Sequence, residues 1–414
     1  MKETTLAHMA ERNTPDLEAD ATPEPIRLDI GNGDMPREGW ISVDRKQGRE
    51  AYPLAYPDNY ADEIEASHIL EHFSHRDKVK VLRDWVRVLK PGGRIRIAVP
   101  DIEALCRMWL NGDLARLRKT YPQLDFERIL YGAHVDDNDY HKSAYHRDEL
   151  MMMMNAVGLI GVQRFQGRPD SSASYPFSLN LEGWKIPQTD LVERMKDDTI
   201  IVMSKPRLSW TENTNCLFAT LHLLGIRTHT DTGAYVMEGM ERTMTKYVRE
   251  GVRYILTVDY DTVFRPDDVL MLRMLLDRNP QFDAIAPLQC KRGGTHWLIG
   301  HTMKPGDLLN DVVESPSAHF GLTLFRADRL ADLPHPWMLP IPNEQGEWEE
   351  GRVDSDMRFW RHFKEHGRRL AISPRVTVGH LEVVVAWPHR LSPRTFYQQL
   401  DDYQDNGAPV ETVG

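Results

Sequence analysis

The sequence predicts an α/β protein of two domains, the first built on a mainly parallel, doubly wound sheet and the second restarting the α/β pattern. Three observations carry this. From Ile26 onward, short apolar strands alternate with helices of 3.6-residue periodicity. The pattern breaks off in residues 188–198 and restarts with the apolar strand 199–203. A chain of 414 residues is long enough for two cores of ordinary size.

Residues 1–24 are rich in Glu, Asp, Thr and Pro without periodicity, so a mobile tail is expected there. The first domain is expected over 25–187. Its strands are 26–30, ending in Gly31-Asn32-Gly33; 40–43, ending at Asp44; 62–66; and 94–99, in which Ile95, Ile97 and Val99 alternate. Val81, Leu82, Trp85, Val86 and Leu89 recur at helical spacing, and Lys90-Pro91-Gly92-Gly93 stops that helix. A helix over 147–157, a strand near 161–165 and an edge strand over 178–185 complete the unit. A linker is expected over 188–198, a second domain over 199–393 and a C-terminal tail over 394–414. In the second domain, strand 199–203, helices 213–224 and 236–250, and strand 254–258 lead to Asp259.

Composition excludes several classes. The chain is 41% hydrophobic and 27% charged, which is the balance of a globular protein rather than a disordered one. No apolar run approaches the roughly 20 residues of a membrane-spanning helix, and no secretory signal is read at the N-terminus. Three scattered cysteines, Cys106, Cys216 and Cys290, support neither a disulfide framework nor a thiolate zinc site and fit a reducing cytoplasm. The formal net charge of −11 argues against a broad phosphate-binding surface. An acidic protein that binds a nucleotide needs a divalent cation or a few local basic groups.

Ile255-Leu256-Thr257-Val258 is a buried-strand run that delivers Asp259-Tyr260-Asp261 at its carboxyl end, where open α/β sheets place their ligands. Two carboxylates one residue apart can serve one Mg²⁺ or Mn²⁺, which neutralises a diphosphate leaving group. Pro266-Asp267-Asp268 then opens a helix. Downstream come the strand entered through Gly321, the acids Asp354 and Asp356 ahead of a helix, and His380 after the strand 376–379. In this order the motifs, over about 199–388, resemble the GT-A fold glycosyltransferases, in particular their large inverting family. The resemblance implies that Asp259 meets the donor ribose or the metal, that Asp261 binds the metal, and that His380 is a further ligand. It implies that Asp354 is the general base, with Asp356 the second candidate. It further implies a nucleoside-diphosphate sugar as donor and a glycan, protein or modified nucleic-acid acceptor. Read singly, Asp354 and Asp356 are better explained as helix caps, and His380 is equally well explained as a structural histidine. Trp297, Trp337, Trp348 and Trp360 are either a sugar platform or packing, and Lys291-Arg292-Gly293-Gly294 either a basic loop over the diphosphate or a solvated turn.

In the first half, glycines after the first strand let a ligand approach the backbone, and an acid ending the second can bind ribose hydroxyls. Leu28-Asp29-Ile30-Gly31-Asn32-Gly33, Val43-Asp44, residues 66–73 and 88–93 together resemble the class I S-adenosylmethionine-dependent methyltransferases, a Rossmann-like fold. The resemblance implies Gly31, Gly33 and Asp44 as contacts for S-adenosylmethionine. The sequence has no clear counterpart, around residues 52–56, of the acid that meets the adenine amine.

His68-Ile69-Leu70-Glu71-His72 also matches the HxxEH zinc signature of some peptidases, but spacing places no third ligand and the methyltransferase pattern accounts for the same residues. His134, Asp136, Asp137, Asp139, His141 and His146 form a ligand-rich stretch, read as a polar loop over the nucleoside pocket ahead of a metal site. The leading expectation is metal-dependent sugar transfer by the second domain, the first being accessory or active. The alternative is a methyltransferase acting on a glycan held by the second domain. A third reading is a lectin-like scaffold of two retired folds.

Overall fold

The structure, a computed structural model, describes residues 24–33, 35–186, 189–207, 209–291, 297, 304–388 and 395–409. The tail expected over 1–24 lies outside these residues apart from Glu24, as does all of the Lys291–Gly294 loop except Lys291.

The N-terminal half opens with β1 (Arg27–Ile30), β2 (Ile41–Val43) and β3 (Ala61–Ser67). Helix α1 (Lys78–Val88) follows and passes directly into β4 (Leu89–Pro100). The strand therefore begins before Lys90-Pro91-Gly92-Gly93 rather than after it, and a register irregularity against β3 absorbs the segment. Three short helices come next: α2 (Ile102–Leu110), α3 (Leu114–Thr120) and α4 (Phe126–Tyr131). Helix α5 (Arg147–Ala156), β5 (Leu159–Arg164) and β6 (Ser178–Lys185) close the half. The strand order is β2-β1-β3-β4-β6-β5. Strands β1 to β4 run parallel, and β6 is antiparallel to both β4 and β5. This is the Rossmann-like arrangement the sequence predicts. Val81, Leu82, Trp85 and Val86 of α1 are buried against Leu28, Ile30, Ile95 and Ile97 of the sheet. Each such side chain contributes roughly 1.5–3 kcal/mol of burial.

The linker expected over 188–198 is instead a helix, α6 (Thr189–Asp198). Leu191 and Met195, one helical turn apart, are buried, and that apolar pair holds the segment down. The C-terminal half continues with β7 (Thr199–Lys205), α7 (Thr211–Leu224), β8 (Arg227–Thr232) and α8 (Val236–Arg249). Then come β9 (Tyr254–Asp259), β10 (Thr262–Val263), α9 (Pro266–Arg278) and β11 (Ala284–Leu288). Strands β12 (Val313–Ser315) and β13 (Leu322–Arg326) precede α10 (Ser355–Glu365), β14 (Leu370–Thr377) and β15 (Gly379–His380). A hairpin of β16 (Val384–Pro388) and β17 (Thr395–Gln399) runs into α11 (Leu400–Asn406). Within the tail expected over 394–414, residues 395–406 are thus strand and helix, and β17 pairs with β16 across the expected domain end.

The seven-stranded sheet has the order β12-β14-β11-β13-β9-β7-β8. Strands β7, β8 and β9 are parallel, whereas β13 is antiparallel to both β9 and β11. Helix α9 is almost wholly buried on one face of this sheet. Its buried Arg273 is held by Asp198, at 2.8 and 2.9 Å, and by Asp277 at 2.9 Å, with its guanidinium 3.6 Å from the centre of the Tyr254 ring.

The two halves share side chains. Ile160 of β5 and Trp184 of β6 belong to one apolar cluster with Leu191, Met195, Met271 and Leu272. Beside it runs a chain of charges: Glu182 accepts from Arg96 (3.2 Å) and from Arg375 (3.0 Å), while Asp311 bridges Arg375 (3.2 Å) and Arg94 (2.9 Å). Among the described residues, no helix is long and apolar enough to cross a membrane.

Candidate functional site

The acidic turn after β9 is held from both sides. Buried Asn213 of α7 donates one amide to the Asp259 carbonyl (2.9 Å) and to the Thr262 carbonyl (2.7 Å). On the other side β10 pairs antiparallel with β15, setting Thr262 opposite His380, and Leu381 N–H donates to the Asp261 carbonyl at 2.8 Å. The side chains of Asp261 and His380 consequently meet, with 3.3 Å between Oδ2 and Nε2. His380 Nδ1 lies 3.0 Å from the Cys290 carbonyl, which can only accept, so Nδ1 carries the proton. A neutral His380 then presents its Nε2 lone pair to a carboxylate. Two acceptors at that distance need a second proton or a cation, and two carboxylates with an imidazole are a donor set suited to Mn²⁺ or Mg²⁺.

The floor behind them is polar and close-packed. Gln289 donates to Thr262 Oγ1 (3.1 Å) and to the Gly379 carbonyl (3.3 Å). His319 donates from Nε2 to the Pro287 carbonyl (3.1 Å) and accepts the Gly321 N–H at Nδ1 (2.9 Å). Burial pushes its pKa down to about 4, so the ring is neutral in that role. A Cβ at Gly321 would stand 2.7 Å from both His319 Nδ1 and Thr262 Oγ1, which explains why a glycine leads β13. The sequence did not single out Asn213, Gln289 or His319. The signal for the last was its position two residues before Gly321.

Asp259, Asp261, His380, Asp354 and Asp356 all line one cavity of about 620 Å³, within the usual range for small-molecule sites. The two acids at the start of α10 differ. Asp354 is exposed, occupies the N-cap position without a side-chain cap bond, and accepts from Arg352 Nε at 2.8 Å. Asp356 is half-buried, and its pKa is raised by burial and then by the charge of Asp354. Of the four tryptophans, Trp297 and Trp348 line the cavity, whereas Trp337 and Trp360 are buried in the core behind it.

The glycine turn of the N-terminal half borders a smaller cavity of about 320 Å³, lined by Asp29, Gly31, Asn32, Glu65 and Arg168 among others. Gly31 packs against Ile69, where a Cβ would come within 2.7 Å of the isoleucine Cβ. Gly33 and Asp44 do not line this cavity. The Asp44 carboxylate accepts the N–H groups of Gly33 (3.0 Å) and Lys46 (2.9 Å) and so closes the turn itself. Two acids the sequence did not single out stand side by side on β1 and β3. Asp29 pairs in register with Glu65, and Arg37 donates to Glu65 at 3.0 Å. Burial, reinforced by the charge of Glu65, pushes Asp29 up to about 6. Among the described residues the sheet has no strand outside β2.

The family comparison reaches the same half. A methyltransferase domain family matches residues 28–97. The ubiquinone/menaquinone biosynthesis C-methyltransferases of two Vibrio cholerae O1 strains are 34% identical over 85 residues, 20% of this chain. The chain spans about a third (32%) of the length of those relatives. Among solved structures, A197 from STIV aligns with 48% of this chain and 94% of its own, at 14% identity and a TM-score of 0.34. A SAM-dependent methyltransferase from Archaeoglobus fulgidus aligns with 39% of the chain and 86% of its own, at 16% identity and a TM-score of 0.24.

Proposed function

We propose that the C-terminal half transfers a sugar from a nucleoside-diphosphate donor to an acceptor hydroxyl. The supporting observation is the convergence of Asp259, Asp261 and His380 with Asp354 and Asp356 on one cavity. Asp261, His380 and Asp259 would hold Mn²⁺ or Mg²⁺, and the ion, when bound, would neutralise charge on the departing diphosphate. In an inverting displacement the acceptor oxygen attacks the anomeric carbon, the bond to the diphosphate breaks, and a carboxylate takes the acceptor proton. Asp356 suits that proton transfer better than Asp354, because burial raises its pKa and Arg352 engages its neighbour. Trp297 and Trp348 offer apolar faces to the sugar or acceptor. The full chain with Mn²⁺ and a panel of nucleotide sugars should release nucleoside diphosphate slowly without an acceptor. Asp261→Ala should abolish the release, and undiminished release from that variant would sink the reading.

A second reading is methyl transfer from S-adenosylmethionine in the N-terminal crevice, onto a glycan held by the C-terminal half. The family match at residues 28–97 favours it, and the comparisons support this reading rather than sugar transfer. The buried pair Asp29 and Glu65 would attract a ligand bearing sulfonium and ammonium charges, although Arg37 and Arg168 already offset part of that field. Calorimetric titration of the full chain with S-adenosylmethionine decides it, since absence of binding would remove this reading and leave the first intact.

A further inference from the structure

The structure joins two stretches of the N-terminal half that sequence spacing left apart. Glu71 is 1% exposed, and neither of its carboxylate oxygens has a hydrogen-bond partner. A buried carboxylate without hydrogen bonds costs several kcal/mol unless a positive charge stands beside it. Histidines surround it. His141 Nε2 is 3.9 Å from Glu71 Oε1, and His68 Nδ1 is 3.4 Å from the same oxygen. The His72 and His141 rings meet edge to face, their centres 4.9 Å apart. One donor atom each from Glu71, His72 and His141 falls within 4.8 Å of the others. Ligands about 2.0–2.1 Å from a tetrahedral ion lie roughly 3.3 Å apart, so a small inward adjustment closes this set.

Backbone contacts hold the three residues in place. The Glu71 carbonyl accepts the N–H groups of Lys142 (2.8 Å) and Ser143 (3.2 Å), which pins the segment carrying His141 against the turn at 70–72. His72 Nδ1 lies 3.0 Å from the Asn138 carbonyl. A carbonyl only accepts, so Nδ1 is protonated and Nε2 keeps its lone pair for an ion, the usual outer support of a metal-bound imidazole. Three of the other ligand types in the 134–146 stretch are turned to local work. His134 stacks on Tyr140, Asp136 accepts the Asn138 N–H, and Asp139 accepts the Val135 N–H.

We infer that Glu71, His72 and His141 form a binding site for a divalent transition metal, zinc being the best match to two imidazoles and one carboxylate. Three protein donors leave a fourth position for water or a ligand oxygen, as in catalytic rather than structural zinc sites. The site lies just past the carboxyl end of β3, next to Ile69, which packs on the glycine turn. It is independent of the sugar-transfer reading and uses none of its residues.

The test is metal stoichiometry. Full-length protein carrying Asp261→Ala and His380→Ala, so that the C-terminal donors are removed, is stripped with chelator and titrated with Zn²⁺. About one equivalent should bind, and Co²⁺ in its place should give the visible absorption of a tetrahedral N/O site. Adding His141→Ala should lower zinc affinity at least 100-fold, with the fold checked by circular dichroism. Glu71→Gln, which keeps the side-chain shape, should weaken binding similarly should the histidine variant unfold. No zinc bound by the parent, or equal binding by it and by folded Glu71→Gln, overturns the proposal in favour of a protonated histidine as the counter-charge.

Discussion

Asp261 and His380 stand 119 positions apart in the chain and 3.3 Å apart in space. The contact depends on a two-residue pairing, β10 with β15, that turns the chain after β14 back over the acidic turn. His380→Ala should therefore weaken Mn²⁺ binding more than it weakens donor binding. Changing the outer support of a metal ligand typically costs about 10–100-fold in affinity, and removing a donor should cost no less. A Mn²⁺ titration of donor hydrolysis measures this. An unchanged half-saturating Mn²⁺ concentration would remove His380 from the ligand set.

The acids before α10 should separate by role. Asp356→Asn is expected to lower sugar transfer by about 10²–10⁴-fold, the usual contribution of a positioned base. Asp354→Asn should cost far less. Steady-state transfer rates at saturating donor distinguish them, and the reverse ranking would move the base to Asp354.

Asp29 makes stability depend on pH. Its folded pKa, about 6, lies above the ordinary 3.8, so the folded state holds the proton more tightly. The stabilisation is fully present below about pH 4 and is lost as pH rises through 6. A shift of roughly two units corresponds to about 3 kcal/mol. Asp29→Asn should match the parent near pH 4 and exceed it by up to about 3 kcal/mol at pH 7.5. Urea unfolding at both pH values tests this, and equal differences at the two would refute it.

Glu182 is fully buried between two arginines contributed by different halves, Arg96 and Arg375. Glu182→Ala leaves both cations without their common partner and should cost about 3–5 kcal/mol. Glu182→Met, which removes the charge but fills the space, should cost a similar amount because the arginines remain. Chemical denaturation read by tryptophan fluorescence gives the difference, and a loss below about 1 kcal/mol would show that water already serves the arginines.

Much of this was legible in the residues. Ile255 to Val258 announce a buried strand, and Ile95, Ile97 and Val99 another, because burial writes itself into apolar spacing. The C-terminal acids and His380 fall on one cavity, as their order in the chain suggested. Other features left a weaker trace. Strand β8 is polar along its length because it lies at the sheet edge, so no apolar run betrays it. Helix α6 reads as a linker because only Leu191 and Met195 mark a buried stripe amid its charges. Asn213 and His319 serve by hydrogen bonds to backbone groups, two from each side chain, that no periodicity encodes. Gly33 and Asp44 have the residue types of a nucleoside site yet bond to each other, since a ten-residue path from β1 to β2 leaves no intervening helix to hold them apart.

Trp184 and Ile160 sit in the N-terminal sheet but are packed with the apolar face of the other half, under α6 and α9. Cutting the chain between the halves would expose that face in both fragments. The N-terminal domain therefore has a second reason to be retained, separate from any reaction in its crevice. Even with its chemistry gone, it would still be the wall on which the neighbouring core is built.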